Sequence, residues 1–222
     1  MYQLEGLLKS QCDPKLSGVM SMTIKHASKA FNEFISGNPV LKENDFRNSY
    51  GYLRHSFVDY SMKWAVREGL IDGDILSGTS SKYSNGHTYL SLKVKGAVIS
   101  PVKTRGPKAI PRKALYRQKL GLMNQQISLF DDPNDPLNSQ VDINAPTFLL
   151  LTYGGRDYGL DYIELGLPDV DTGKWIGQVS ILHAPMVISS AEQTKAADKL
   201  DLSLTSMSKK LLEDGKNGEY SV

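Results

Sequence analysis

The chain has 222 residues, 40% apolar and 23% charged, enough for one sizeable core or two small ones and too apolar for a disordered chain. No stretch approaches the roughly 20 consecutive apolar residues of a membrane helix, and the single cysteine, Cys12, excludes an internal disulfide and a cysteine-built zinc site. The formal charge of +2 conceals an asymmetry: residues 120–222 hold 15 acidic and 7 basic side chains, a balance of −8, whereas residues 1–119 hold 19 basic and 9 acidic, a balance of +10.

Met1-Tyr2-Gln3-Leu4-Glu5 lacks the basic patch and apolar run of a secretory leader. With Cys12 read as a reduced thiol, the expectation is a cytoplasmic protein with no membrane partner. Met20, Ile24, Ala27, Phe31 and Phe34 recur at helical spacing and predict a helix over about Leu16–Ile35, ended by Gly37-Asn38-Pro39. A second helix is predicted from a cap at Asn44 or Asp45, with Phe46, Tyr50, Leu53, Phe57, Tyr60 and Trp64 forming one apolar stripe up to Gly69. Ser77–Gly86 is rich in turn-formers and reads as an exposed loop.

Thr88–Val94 and Ala97–Ile99 read as strands joined by a hairpin turn at Lys95-Gly96. Pro101, Pro107 and Pro111 then hold a basic loop, followed by a short helix over about Arg112–Gln125. Asp131–Pro146 is expected to be a loop or linker, because its prolines remove donors and restrict the backbone. Thr147–Tyr153, Gly159–Leu165 and Lys174–Leu182 are three further strands, with turns at Gly154-Gly155 and Pro168–Gly173, in the order of a meander. Ser190–Val222 reads equally as a peripheral helix or a frayed tail. The expected fold class is α+β: a helical N-terminal layer with small antiparallel sheet elements, a hairpin at about 88–102 and a three-stranded meander at about 147–182. The expected organisation is a helical and basic-hairpin region over 1–130, the meander packing on it over 147–188, and a helix or tail over 189–222.

Catalytic and cofactor motifs are missing from the sequence. His26, His55, His87 and His183 have no paired ligand spacing, and Gly154-Gly155 lacks the other glycines and the lysine of a phosphate loop. No catalytic residue, metal ligand or cofactor is therefore assigned. Asp157, Asp161, Glu164, Asp169 and Asp171 keep a metal-dependent nuclease open as an alternative, since such an enzyme needs converging carboxylates. Along a strand Asp161 and Glu164 point to opposite faces, which opposes convergence. Pro168-Asp169 with Lys174 superficially resembles restriction-type nucleases but lacks their acidic-x-Lys element.

Lys93 to Lys119 holds nine basic residues and no acidic one. Basic side chains in such a run neutralise phosphates and release counterions. Lys103, Arg105, Lys108, Arg112, Lys113 and Arg117 are the predicted phosphate contacts, with Tyr89 and Tyr116 as candidates to stack on bases.

Three resemblances bear on partners. Residues 45–100, with Trp64–Ile71 followed by the basic hairpin Tyr89–Ile99, resemble the recognition-helix-to-wing order of winged helix-turn-helix proteins. The apolar stripe departs from that pattern by committing the helix to a core. Gln126-Ile127-Ser128-Leu129-Phe130 resembles the pentapeptide by which bacterial proteins dock on the DNA polymerase sliding clamp. That likeness implies Leu129 and Phe130 in an apolar pocket, Ile127 beside them and the Gln126 amide at its rim. Arg47 and His55 on a helix, a hairpin feeding Lys103–Arg105, Gln126, and Tyr153 with Trp175 together resemble small uncharacterised accessory proteins of phages and mobile elements.

These readings converge on a nucleic-acid-associated accessory or regulatory protein, with DNA or RNA backbone as partner and no catalysis. The alternatives are an inhibitor that binds a host protein and a metal-dependent nuclease. Oligomeric state is left open.

Overall fold

A computed structural model of the chain describes residues 2–79, 88–128, 146–169, 172–186, 198–201 and 204–210. The helices are α1 (Tyr2–Gln11), α2 (Leu16–Gly37), α3 (Tyr50–Arg67) and α4 (Leu115–Ser128). The strands are β1 (Gly73–Thr79), β2 (Thr88–Val94), β3 (Ala97–Lys103), β4 (Thr147–Gly154), β5 (Tyr162–Asp169) and β6 (Lys174–Ser180). They form one mixed sheet in the order β1-β2-β3-β4-β5-β6. Neighbours are antiparallel except β3 and β4, which run parallel from Ala97↔Thr147 to Lys103↔Tyr153. A parallel pair requires a crossover connection, and α4 lies within it.

Side-chain parity along β4 sorts the molecule into layers. The strand is buried along its whole length. Leu149, Leu151 and Tyr153 face the core shared with Ile24 and Phe31 of α2 and Phe57 and Met62 of α3. Phe148 and Leu150 face the other way, with Val98, against Leu120 and Met123 of α4. A strand covered on both faces reads as an unbroken apolar run, which is why Phe148-Leu149-Leu150-Leu151 shows no alternation. The fold is α+β, with α2 and α3 on one face of the sheet, α4 on the other and helical residues near the C-terminus. The predicted hairpin and meander are two parts of the same sheet, joined through β3 and β4.

Most predicted elements are present, with shifted ends. Gly69 and Gly96 both have positive φ, 71° and 76°, as the helix end and the hairpin turn require. The second helix begins later than its stripe implies. Asn44–Ser49 is a 3-10 helix and the α-helix starts at Tyr50. A 3-10 turn advances by about three residues rather than 3.6, so Phe46 rotates off the buried face and is 41% exposed. β1 occupies part of the predicted exposed loop: Ser77–Thr79 pair with Leu90–Thr88, and residues 80–87 lie outside the described residues. Its two glycines, Asp74 and Ser77 have poor strand preference, and pairing with β2 overrides it. Pro101 lies within β3 rather than in a loop. The pairing of β2 with β3 runs only from Val94↔Ala97 to Leu92↔Ile99, so Pro101 needs no donor on that side.

The winged-helix order does not survive this topology, because the hairpin is internal to the sheet and α3 buries Arg54, Phe57, Val58, Ser61, Met62, Trp64 and Ala65. Near the C-terminus, residues 198–201 and 204–210 are helical. Leu200 and Leu204 are buried in the main core, and Asp201 Oδ1 lies 2.8 Å from His26 Nδ1 of α2. Those residues form a docked helical segment rather than a frayed tail. The predicted linker 131–146 lies outside the described residues apart from its last residue. Among the described residues no helix is long and apolar enough to cross a membrane.

Asn124 fastens α4 to the sheet. Its side-chain amide donates to Phe148 O at 2.8 Å and Pro168 O at 3.1 Å, and its Oδ1 accepts from Phe148 N at 2.9 Å. The β4–β5 register begins at Leu150↔Gly166, so the backbone groups of Phe148 have no β5 partner in it. One buried amide supplies what the sheet does not.

Candidate functional site

β2 leaves β3 after Leu92↔Ile99 to follow β1 as far as Thr88↔Thr79, while β3 follows β4 as far as Lys103↔Tyr153. The two halves of the sheet splay, and a cavity of about 760 Å³ opens beside Pro101, Val102 and Lys103. Gly51, Tyr52 and His55 of α3 wall one side. The other side is walled by the 104–112 segment and by Tyr116 and Arg117 in the first turn of α4. Tyr116 stacks on Tyr89 of β2, with ring centroids 3.8 Å apart and planes 5° from parallel, and so ties α4 to the diverging strand.

The 104–112 segment is pinned although its prolines keep it out of regular structure. Thr104 O accepts from the Tyr162 hydroxyl at 2.8 Å, Trp175 Nε1 donates to Lys108 O at 3.1 Å and Gln178 Nε2 donates to Pro107 O at 2.6 Å. A turn closes where Ala109 N donates to Gly106 O at 3.1 Å. β5 and β6 thus hold the basic loop from behind.

Four of the six predicted phosphate contacts, Lys103, Arg105, Arg112 and Arg117, line this one cavity. Lys113 lies instead with Ile110 and Pro111 in a small groove leading to Phe148, and Lys108 is exposed outside both. Arg117 is positioned by its neighbours: Nη1 donates to the Tyr116 hydroxyl at 2.6 Å, Nη2 donates to Arg112 O at 2.5 Å, and the guanidinium lies 4.9 Å above the Tyr116 ring. Lys103 Nζ lies 5.7 Å from the centre of the Tyr158 ring; burial, reinforced by the charge of Arg54, lowers its pKa. No ion pair among the described residues involves Lys103, Arg105, Arg112 or Arg117.

Behind the α3 wall is a buried polar network that the sequence analysis did not assign. His55 Nδ1 is 2.9 Å from the Tyr153 hydroxyl, and His55 Nε2 is 3.6 Å from Asp59 Oδ2. Burial pushes the Asp59 carboxyl up to about 7, against the opposing charge of Lys63. Burial also raises the Tyr153 phenol. Arg54 is fully buried; Nη2 donates to Gly159 O at 3.0 Å and to Ser28 Oγ at 3.4 Å, and Nε and Nη1 have no hydrogen-bond partner among the described residues. Tyr158 holds a left-handed φ of 64°, which costs about 1–2 kcal/mol in a non-glycine residue. Its ring packs on Tyr50 at a centroid distance of 4.8 Å. The legible signal was the His55/Asp59 spacing of four, which places the pair on one side of a helix. Arg54 gave none, since nothing local marks an arginine as buried.

The remaining predicted positions lie elsewhere. Gln126 and Ile127 are in the last turn of α4, which continues through Ser128, so the first part of the clamp-like peptide is helical rather than extended. Leu129 and Phe130 lie outside the described residues. Asp161 precedes β5 and accepts from Arg156 N at 3.0 Å, and Asp169 accepts from Thr172 N at 3.1 Å. Glu164 is on β5, its carboxyl raised by burial against a hydrogen bond with Ser180. Asp171 and the side chain of Asp157 lie outside the described residues. Among the described residues no three His, Cys, Asp or Glu side chains are placed to hold a metal ion. Of the residues that carried the phage-protein likeness, His55, Lys103, Arg105 and Tyr153 meet at or behind the cavity.

No protein-family model matches the chain, nor does any curated protein or solved structure.

Proposed function

We propose that this is a nucleic-acid-associated accessory or regulatory protein, with DNA as the expected polymer. It grips phosphate through Lys103, Arg105, Lys108, Arg112, Lys113 and Arg117 and catalyses no reaction. One observation carries the reading: four of these cations, drawn from a strand end, a pinned loop and a helix start, line one concavity without a carboxylate partner among the described residues. Unpaired cations gathered on one surface raise the local concentration of a polyanion and exchange bound counterions for phosphate. Arg105 and Lys108 are exposed, so replacing them tests binding rather than folding. Arg105→Ala with Lys108→Ala is expected to weaken DNA binding and flatten the dependence of log affinity on log salt by about 1.4 for single strands or 1.8 for a duplex. Unchanged affinity and slope in the double variant overturn the reading.

A second reading, docking on a host protein such as the sliding clamp, rests on the peptide Gln126, Ile127, Leu129 and Phe130, whose first two residues lie in the last turn of α4. Capture of purified clamp by the protein, lost on Gln126→Ala, supports that reading; no capture removes it.

A further inference from the structure

We infer that the cavity beside β3 is a pocket for a single unpaired nucleotide, the phosphate on its cationic rim and the base against its apolar wall. The inference rests on the phosphate-binding reading and adds the unit that is recognised. A surface that only tracks a backbone needs cations along a groove. This site has more. Its volume of about 760 Å³ falls within the range of roughly 300–1,000 Å³ typical of pockets that enclose a small ligand. A duplex presents its phosphates on a convex surface with the bases stacked inside, so the recess between α3 and the 104–112 segment fits one base that has left its stack.

The wall chemistry agrees with that unit. Pro101, Val102, Ala109, Ile110 and Pro111 give the recess an apolar side, which a phosphate does not require and a base does. Tyr52 stands at its edge, 73% exposed, with a free ring face for stacking, and every base has a π-face to offer. Tyr116 cannot serve in the same way toward β2, because its ring is already stacked on Tyr89; it holds Arg117 instead, through the hydroxyl and ring contacts. Arg117 is therefore oriented before any phosphate arrives, which lowers the ordering cost of binding. Arg105 and Arg112 complete the rim. The same chemistry can come from the terminus of a single strand or from a free nucleotide, and competition separates the two.

The test uses the full chain, a fluorescent oligothymidylate with and without a terminal phosphate, and thymidine monophosphate, thymidine and inorganic phosphate as competitors. Two uncharged variants probe the pocket: Tyr52→Ala removes the stacking ring and Ala109→Phe fills the recess. The expected result is preference for single strand over duplex, competition by the monophosphate but not by inorganic phosphate at equal concentration, and a loss of roughly tenfold in each variant with the salt slope unchanged. Oligonucleotide binding with a normal salt slope, no competition by the monophosphate and wild-type affinity in both variants overturns the pocket and leaves the phosphate-binding reading standing. Monophosphate binding without oligonucleotide binding supports the pocket, with a free nucleotide as its source, and overturns the nucleic-acid reading. No binding of any probe overturns both.

Discussion

The basic stretch from Lys93 to Lys119 and the acidic turns after β4 carry charge of opposite sign, and they differ further in how that charge is partnered. Asp161 accepts from Arg156 N, Asp169 from Thr172 N and Oγ1, and Asp201 is held by His26 and Lys29. Each of these carboxylates is engaged by a neighbour that shapes a turn or fastens an element. Lys103, Arg105 and Arg112 line a cavity with no carboxylate partner among the described residues. Acidic residues in turns are used up by local hydrogen bonding, as their turn preference leads one to expect. Cations held around a concavity retain their charge for a partner. Composition alone weighs the two regions equally, and geometry separates them.

The comparison is sharpened most by Asp59, a carboxylate on the basic side. Its folded pKa of about 7 lies above the 3.8 of a solvated aspartate, so between those values the folded state binds more protons than the unfolded one. Stability is fully present below the lower value and falls as pH rises through the window, by roughly 4 kcal/mol at most. Chemical denaturation from pH 4 to pH 8 should show this decline, and Asp59→Asn should flatten it. A wild-type profile that rises through the same window would contradict the assignment of Asp59 as a buried neutral acid.

Next in size is Asn124. Its removal orphans three buried backbone groups, and Asn124→Ala is expected to cost about 3 kcal/mol of stability by urea unfolding. Because α4 carries Tyr116 and Arg117, the surviving folded protein should also bind oligonucleotide less tightly. Smaller again is the charge contrast itself. Arg105→Ala with Arg112→Ala should lower DNA affinity several-fold, whereas Asp161→Asn with Asp169→Asn should leave it unchanged. Equal losses in the two double variants would erase the distinction between partnered and unpartnered charge.

The smallest effect belongs to Asp201. Burial raises its carboxyl pKa, but the hydrogen bond and charge of His26, with Lys29, outweigh burial and leave it lowered. The contribution is therefore present above the unfolded value and is lost as pH falls through the lower folded one. The side chain is 37% exposed, so solvent screening keeps Asp201→Asn below about 1 kcal/mol. Hydrogen exchange on the helical residues 204–210 would detect the loosening more readily than global unfolding.

Long periodic patterns survived the passage from sequence to structure, and pairings between distant segments did not. The stripe Met20-Ile24-Ala27-Phe31 is α2, and Lys95-Gly96 is a tight turn, because both depend on residues within a few positions of each other. β1 is hard to read locally because Gly73 and Asp74 disfavour a strand and leave Ile75 as the one β-branched residue of Gly73-Asp74-Ile75-Leu76; pairing with β2 makes it one. The start of α3 differs from the expected one because Asn44 and Asp45, cap residues by type, fall inside a 3-10 helix, and the packing of Tyr50 against Phe31, 5.9 Å apart, shows which turn belongs to the core. Within the site, the cations were visible as a run of charge. That four of them enclose one recess was not, because the recess is made where β2 and β3 separate, and separation leaves no mark in either strand.

By itself, then, the sequence determined an α+β fold, the positions of most helices and strands, and the segregation of charge, since periodicity and composition are local properties. The tertiary structure decided that hairpin and meander are one sheet, that Arg54 is buried, and that Lys103, Arg105, Arg112 and Arg117 share a cavity with Tyr52 and His55. Those outcomes depend on which distant backbones pair and where pairing stops, a choice made by the summed burial of both sheet faces rather than by any segment alone.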